Sequence, residues 1–249
     1  MTASRSGHAR PFGGAPVAPT RGELAYEVIR KAIIAGEFGP GARLRLGELT
    51  KRYGFGAGVL REALPRLVAE GFLESQAQLG FRVVELTASG LLHLTEVRLL
   101  VEAAALSQAI RHGDAAWEAE IVSSAYLLDK ATVFSTSDAL SPEWLSAHSR
   151  FHGALLAACP NDYLRELSRN LRDRGEIFRA WGRGASMHRD VAAEHRAIAE
   201  AVLARDEESA VSHLESHIRA TASAYLENGD SRTPPLNGDA PLSSGEAEE

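Results

Sequence analysis

The chain has 249 residues, 45% of them hydrophobic and 24% charged, with a net charge of −6 at pH 7. That length suits one large domain or two smaller ones, and no apolar run approaches the roughly 18 residues of a membrane span, so no membrane partner is expected. The N-terminal segment lacks the apolar centre of a secretory signal, and a lone cysteine, Cys159, forms no internal disulfide, so a reducing cytoplasm is the expected compartment.

The charge is unevenly spread. Residues 1–86 hold 12 Lys and Arg against 8 Asp and Glu, whereas the remainder holds 15 against 25. The basic front is the half suited to meet a polyanion.

Residues 1–20 are rich in Gly, Pro, Ser and Ala and read as a disordered tail. The segment "GELAYEVIRKAIIAG" then predicts a helix with Leu24, Val28, Ile29, Ala32 and Ile33 on one face and Gly36 as its stop. "LGELTKRYG" predicts a short second helix closed by Gly54. "AGVLREALPRLVAEG" predicts a third, with Leu60, Leu64, Leu67 and Val68 inward, and Pro65 should strain or bend it. "GFLES" (71–75) and "GFRVVEL" (80–86), set around the polar "QAQL", predict a small hairpin. Three helices followed by a hairpin make a winged helix-turn-helix over residues 21–86, whose third helix can enter a major groove.

From Thr87 to residue 228 the pattern is helical throughout. Thr87 caps a long helix with apolar residues at Leu91, Leu94, Val97, Leu100, Val101 and Ala104, and further helices fit 114–134, 142–158, 161–182, 189–205 and 206–227. The fold class is therefore mainly α: a winged helix-turn-helix followed by an all-α bundle of six helices. Residues 229–249 read as a second disordered tail. Cys159 is read as a small core residue rather than a zinc ligand.

One stretch inside the bundle raises a chemical question. In "WLSAHSRFHGALL" (144–156) the apolar residues mark a buried helix. His148 and His152, four residues apart, then point the same way with Cβ atoms roughly 6 Å apart.

The order of parts resembles the GntR family of bacterial transcription regulators, in the FadR-like branch with a C-terminal helical effector domain. The resemblance covers residues 21–228. In the front it rests on "IRKAIIAGEFGPGARL", "LREALPRLVAEGFLE" and "GFRVVEL"; in the back it rests on "HSRFHGALLAACPN", "EHRAIAEAVLARD" and "SHLESHI". It implies a homodimer that binds double-stranded DNA at a palindromic operator. It also implies a small carboxylate effector bound in the helical domain.

Metal-binding members of that family use a carboxylate and a histidine four residues apart on one helix, plus one histidine from each of two later helices. The resemblance maps the three histidines to His152, His195 and His217, and the carboxylate position holds His148, read as a fourth ligand, with a hydrogen bond to the effector or a site that has lost its metal as the alternatives. The implied cofactor is a divalent transition metal, Zn²⁺ first, with Ni²⁺ and Mn²⁺ as alternatives. Four neutral imidazoles leave the full +2 on the ion, where an aspartate would leave +1, so an anion in the open positions is favoured more strongly. His93, His112, His188 and His213 match no ligand position and read as surface residues. The family also implies an arginine on the first bundle helix as a carboxylate fork, here Arg98; an internal ion pair with Glu102 is the alternative.

At the DNA end the chain departs from the family. The turn into the recognition helix usually reads Gly-Val-Ser-Arg-x-Pro-Val-Arg-Glu-Ala-Leu and here reads "GFGAGVLREAL". Gly56 and Ala57 stand where Ser and Arg are usual, Gly58 follows, and Val59 replaces the proline. The lost cap costs about 1 kcal/mol. Each helical glycine costs up to about 1 kcal/mol against alanine. Arg61 is retained as the principal DNA contact, with Arg45, Lys51, Arg52 and Arg66 for phosphates and Gln78, Gly80 and Arg82 in the wing. Two other functions compete: an interaction module that has lost operator binding, and a small metalloenzyme. Against the enzyme, the chain has no H-E-x-x-H, and Glu194 projects about 100° away from His195 on their helix.

Overall fold

The computed structural model describes residues 18–76, 80–134, 140–181 and 189–228. Helix α1 (Arg21–Ile34) starts at a capping box: the Thr20 hydroxyl accepts from the Glu23 backbone N–H, and the Thr20 N–H donates to the Glu23 carboxylate. Helix α2 (Leu46–Tyr53) stops at Gly54, whose φ of 73° is left-handed, and the Gly54 N–H donates to the Thr50 carbonyl. Helix α3 (Ala57–Ala69) follows at once and runs through the exposed Pro65 without interruption. Its N-cap, Gly56, offers no side-chain bond, as the missing serine implies.

The wing is a three-stranded antiparallel sheet in the order β1 (Arg43–Leu44), β3 (Gly80–Val83), β2 (Leu73–Gln76). Leu73 faces Val83, Ser75 faces Phe81, and Arg43 faces Arg82. The hairpin stands as read, with β3 ending at Val83 rather than Leu86. The extra strand β1 is too short to show a period of two in the sequence. Gln78, at the tip of the sequence-predicted wing, lies outside the described residues. Ile29, Leu49, Leu60, Leu64, Leu67, Phe72 and Val83 form the core of this half.

The rear half comprises α4 (Ala88–His112), α5 (Ala115–Lys130), α6 (Pro142–Leu156), α7 (Asp162–Trp181), α8 (Val191–Leu203) and α9 (Glu207–Asn228). Thr87, Asp114, Ser141 and Asp190 cap α4, α5, α6 and α8 by accepting a backbone N–H two or three residues into each helix. Helix α4 lies against α6, α7 and α9, α8 lies against α5 and α9, and α5 lies against α6. Leu106, Ile121, Phe151, Leu155, Ile198 and Leu214 fill the centre, with Cys159 fully buried among them.

Two apolar stripes differ from the sequence reading. On α4, Val97 and Leu100 are exposed (43% and 74%), while Glu102 is buried and Arg98 turns inward. The inward face of α4 is polar in its middle because it lines a polar interior, so counting hydrophobic residues rotates the helix wrongly. On α1, Leu24 and Val28 are exposed, and Tyr26 and Arg30 are buried instead. The reason is a second neighbour. Arg30 pairs with Asp173 of α7 in a buried contact and lies over the Phe72 ring, while the Tyr26 hydroxyl donates to Glu70. Ile177 of α7 completes the front core, and the Arg174 guanidinium packs on Gly71. One face of α7 is therefore part of the front half.

Gly56 has φ −64° and ψ 153°, ordinary N-cap values, and a Cβ added there meets nothing within 4 Å. Replacing Gly56 by Ser supplies the missing cap, and because glycine is itself a tolerated N-cap the gain in stability should be only a few tenths of a kcal/mol. Urea unfolding checks this; an unshifted midpoint would show that the start of α3 is satisfied in another way.

Candidate metal centre and its cavity

Helix α6 aims its histidines by anchoring both ends. Ser141 caps it, Pro142 occupies its first position, and Trp144, Phe151 and Leu155 are buried. His148 and His152 consequently face the same interior point. His195 of α8 and His217 of α9 meet them there, and all four rings are buried. One nitrogen from each ring lies within 4.8 Å of the others, and His152 Nε2 stands 3.3 Å from His195 Nε2. Zinc–nitrogen bonds of roughly 2.0–2.1 Å in a tetrahedron set nitrogen–nitrogen edges of about 3.3 Å. The donor set thus fits a divalent transition metal in number and type, and the His152–His195 separation matches a tetrahedral edge.

The protonation state fits as well. Burial, chiefly, pushes all four imidazoles below their usual value, His195 to about 2, and neighbouring rings and arginines push the same way. The rings are therefore neutral, the form a metal requires. His217 Nδ1 lies 2.8 Å from Glu194 Oε2, which leaves Nε2 for a ligand. Burial raises the Glu194 carboxyl, but hydrogen bonds from His217 and Arg189 outweigh it and hold the group below its usual value. The sequence reading turned Glu194 away from the site. It does turn away from His195, but it reaches the cluster through α9, a route that one helical wheel cannot show.

His148 is held on both sides by α7. Its Nδ1 is 3.3 Å from Glu176 Oε1, its Nε2 is 3.0 Å from Arg179 Nη1, and Trp144 stacks on the ring at 4.7 Å between centroids. Beside the cluster lies a cavity of about 270 Å³. Apolar walls come from Leu91, Phe178, Ile218 and Tyr225, and polar groups from Thr95, Arg98, Arg179, Arg189, Asp190 and Thr221. Arg98 forms the ion pair that was its alternative reading, its Nε donating to Glu102 Oε1 at 2.7 Å, and the residue lines the cavity beside Gly175.

Glu176, Arg179, Arg189 and Glu194 are the site residues that sequence reasoning missed. Arg172, Glu176 and Arg179 do repeat at helical spacing in "LRDRGEIFRAW", yet charges so spaced normally mark a solvated face. His93, His112 and His213 are exposed, as expected; His188 lies outside the described residues.

In the front half Arg61 is exposed on α3 and Lys51 on α2. Arg45, at the N-cap of α2, pairs with Glu48 at 3.4 Å. Arg52 pairs with Glu37 and lies over the Phe38 and Tyr53 rings. Arg66 lies 4.1 Å over the Tyr26 ring, so it also braces α3 against α1. In the wing, Gly80 begins β3 at φ 87°, and the half-buried Arg82 stands 3.7 Å from Glu85.

A winged helix-turn-helix joined to a helical domain with an arginine-lined cavity defines a transcription regulator of the helix-turn-helix class. Residues 22–83 match the bacterial regulatory proteins of the gntR family, and residues 93–220 match the FCD domain. The chain is 35% identical over 198 residues to the HTH-type transcriptional repressor GlaR of Escherichia coli strain K12, spanning 78% of this chain and 90% of that one. It is 34% identical over 223 residues to BphR of Paraburkholderia xenovorans strain LB400, an uncharacterized HTH-type transcriptional regulator, spanning 86% and 89%. Among solved structures, E. coli McbR/YncC shares the fold with a TM-score of 0.74 at 19% identity, over 84% of this chain and 98% of that one. The chain belongs to the GntR family, in its FadR-like branch with an FCD domain, and is a DNA-binding transcriptional regulator. No helix among the described residues is long and apolar enough to cross a membrane.

Neutral buried histidines make stability depend on pH. The unfolded chain's histidines titrate near pH 6.5 and the folded ones below it, His148 and His152 well below. Between those values the unfolded state binds more protons, so stability is complete above about pH 6.5 and falls as pH drops beneath it. Metal-free protein should melt at progressively lower temperature from pH 7.5 to 5.5, and His152→Gln should show a shallower decline. Equal slopes in calorimetry would mean that His152 is protonated alike in both states.

Proposed function

We propose that this chain is a cytoplasmic, homodimeric, ligand-responsive regulator. It binds a palindromic operator through the winged helix and senses a small carboxylate at a metal-assisted site in the bundle. The observation that carries the reading is the convergence of four buried, neutral imidazoles beside a cavity bordered by Arg98, Arg179 and Arg189. His148, His152, His195 and His217 are the ligand set, for Zn²⁺ first and Ni²⁺ or Mn²⁺ as alternatives. A bound ion supplies a fixed positive charge with coordination positions open to a carboxylate. Arg98, which lines the cavity with its Nε held by Glu102, supplies the second grip.

Helix α7 gives the site an output. Glu176 and Arg179 reach the cluster, while Asp173, Arg174 and Ile177 pack into the front half, so an effector that shifts α7 also shifts the winged helix. The exposed apolar residues Val97 and Leu100 of α4, with Tyr163 and Leu167 of α7, support a second copy of the chain as the partner that covers this side of the bundle. On the DNA side, the exposed Arg61 and Lys51 are the main contacts, with Arg45, Arg52, Arg66, Gln78, Gly80 and Arg82 nearby in the chain. A metalloenzyme is disfavoured by the state of one carboxylate at the cluster. Glu194 is held by both His217 and Arg189, so it is not placed as a free general base.

Selection of bound DNA from a random pool, with and without a chelator, tests the reading. Enrichment of a palindrome, with recovery altered by the chelator, is the expected result; no enrichment under either condition would leave only the interaction module. Arg61→Ala should weaken binding to the selected site by roughly 1–3 kcal/mol. A gel-shift titration at fixed salt with unchanged affinity would remove Arg61 from the contact set.

A further inference from the structure

Arg179 occupies the position where the histidine cluster and the cavity meet. Its Nη1 lies 3.0 Å from His148 Nε2, its guanidinium stands 5.4 Å over the Trp144 ring, and it lines the cavity. Arginine only donates hydrogen bonds, so His148 Nε2 must accept, and the ring proton must sit on Nδ1. That is the nitrogen facing Glu176 Oε1 at 3.3 Å. The tautomer is thereby assigned by the neighbours, and it leaves His148 with a single lone pair, already engaged by Arg179.

We infer that Arg179 and the metal compete for that one lone pair, so that Arg179 is a positioning residue that sets whether His148 joins the coordination shell. This rests on the metal-site reading above. With Arg179 in place, His152, His195 and His217 are the available ligands. When His148 turns its lone pair to the ion, the Arg179 Nη1 donor is freed, and the cavity it lines is where an anion can take it. An anion that draws Arg179 away likewise releases His148. Ion and anion then strengthen each other's binding, and by linkage the effect is equal in both directions.

The residue type at 148 makes the competition strict. A carboxylate, which the family resemblance places there, has about four lone-pair sites over two oxygens and can hold an arginine and a metal together. An imidazole nitrogen cannot. Two further observations show that Arg179 is not locked in place. Its Nε, although buried, has no hydrogen-bond partner among the described residues, and neither does the nearby Glu176 Oε2. The two stand 3.4 Å apart in an ion pair that lacks hydrogen-bond geometry.

The test uses the full-length metal-free protein and Zn²⁺ alone, with affinity read by competition against a chromophoric chelator. Arg179→Met should bind Zn²⁺ about tenfold more tightly than wild type, the worth of one charge-assisted hydrogen bond. In a His148→Ala background the same substitution should change affinity by no more than about twofold, because the contested lone pair is gone. Co²⁺ absorption should report one more nitrogen ligand in Arg179→Met than in Arg179→Met/His148→Ala. An equal gain in both backgrounds would mean simple charge repulsion and overturn the inference, as would no gain at all. If Arg179→Met fails to fold, the wild type still decides: Zn²⁺ should move the Arg179 Nε–Hε resonance in ¹⁵N NMR, and an unmoved resonance overturns the inference. Should neither Zn²⁺ nor Co²⁺ bind wild type or any variant, the metal site itself falls, and this inference with it.

Discussion

Four imidazoles buried at one point constrain the whole rear half. Burial makes them neutral, and neutral imidazoles each keep one donor and one acceptor nitrogen that must be met without water. The bundle meets part of that demand from outside the ring cluster, with Glu194 on His217 and with Glu176 and Arg179 on His148. The partners are charged, and they require partners of their own: Arg189 serves Glu194, and Glu102 serves Arg98. The interior of this domain is therefore a polar network wrapped in a conventional apolar core. Such a network is stable when it is satisfied and costly when it is half-satisfied. Glu176 Oε2 and Arg179 Nε, without a hydrogen-bond partner among the described residues, mark where it is least settled, and that point borders the cavity.

Helix α7 carries the consequence to the other half of the molecule. Within eight residues it presents Arg172, Glu176 and Arg179 to the ligand region and Asp173, Arg174 and Ile177 to the winged helix. The Arg30–Asp173 pair is buried and lies beside Phe72, so it tolerates little misalignment. One helix thus packs against both the histidine cluster and the winged helix.

The recognition helix shows the opposite economy. It begins at an uncapped Gly56, has Gly58 in its first turn, and lacks the serine and arginine its relatives usually place there. The helix nevertheless forms, because Leu60, Leu64 and Leu67 are fully buried and tertiary packing outweighs the weak start.

Much of the architecture was legible in the sequence, because helical period, glycine stops and cap residues are local signals. They determined the order of three helices, a wing and six bundle helices, the left-handed stops at Gly54 and Gly71, and the inward alignment of His148 with His152 on one helix. The family resemblance added His195 and His217. What lay beyond reach depends on neighbours that no single segment contains. The inward turn of Arg98 and Glu102, the exposure of Val97 and Leu100, the route by which Glu194 reaches His217 and the hold of Arg179 on His148 were all decided by packing. A helix read alone has a pattern but no partner, and a charge on it counts as solvated until another helix closes over it.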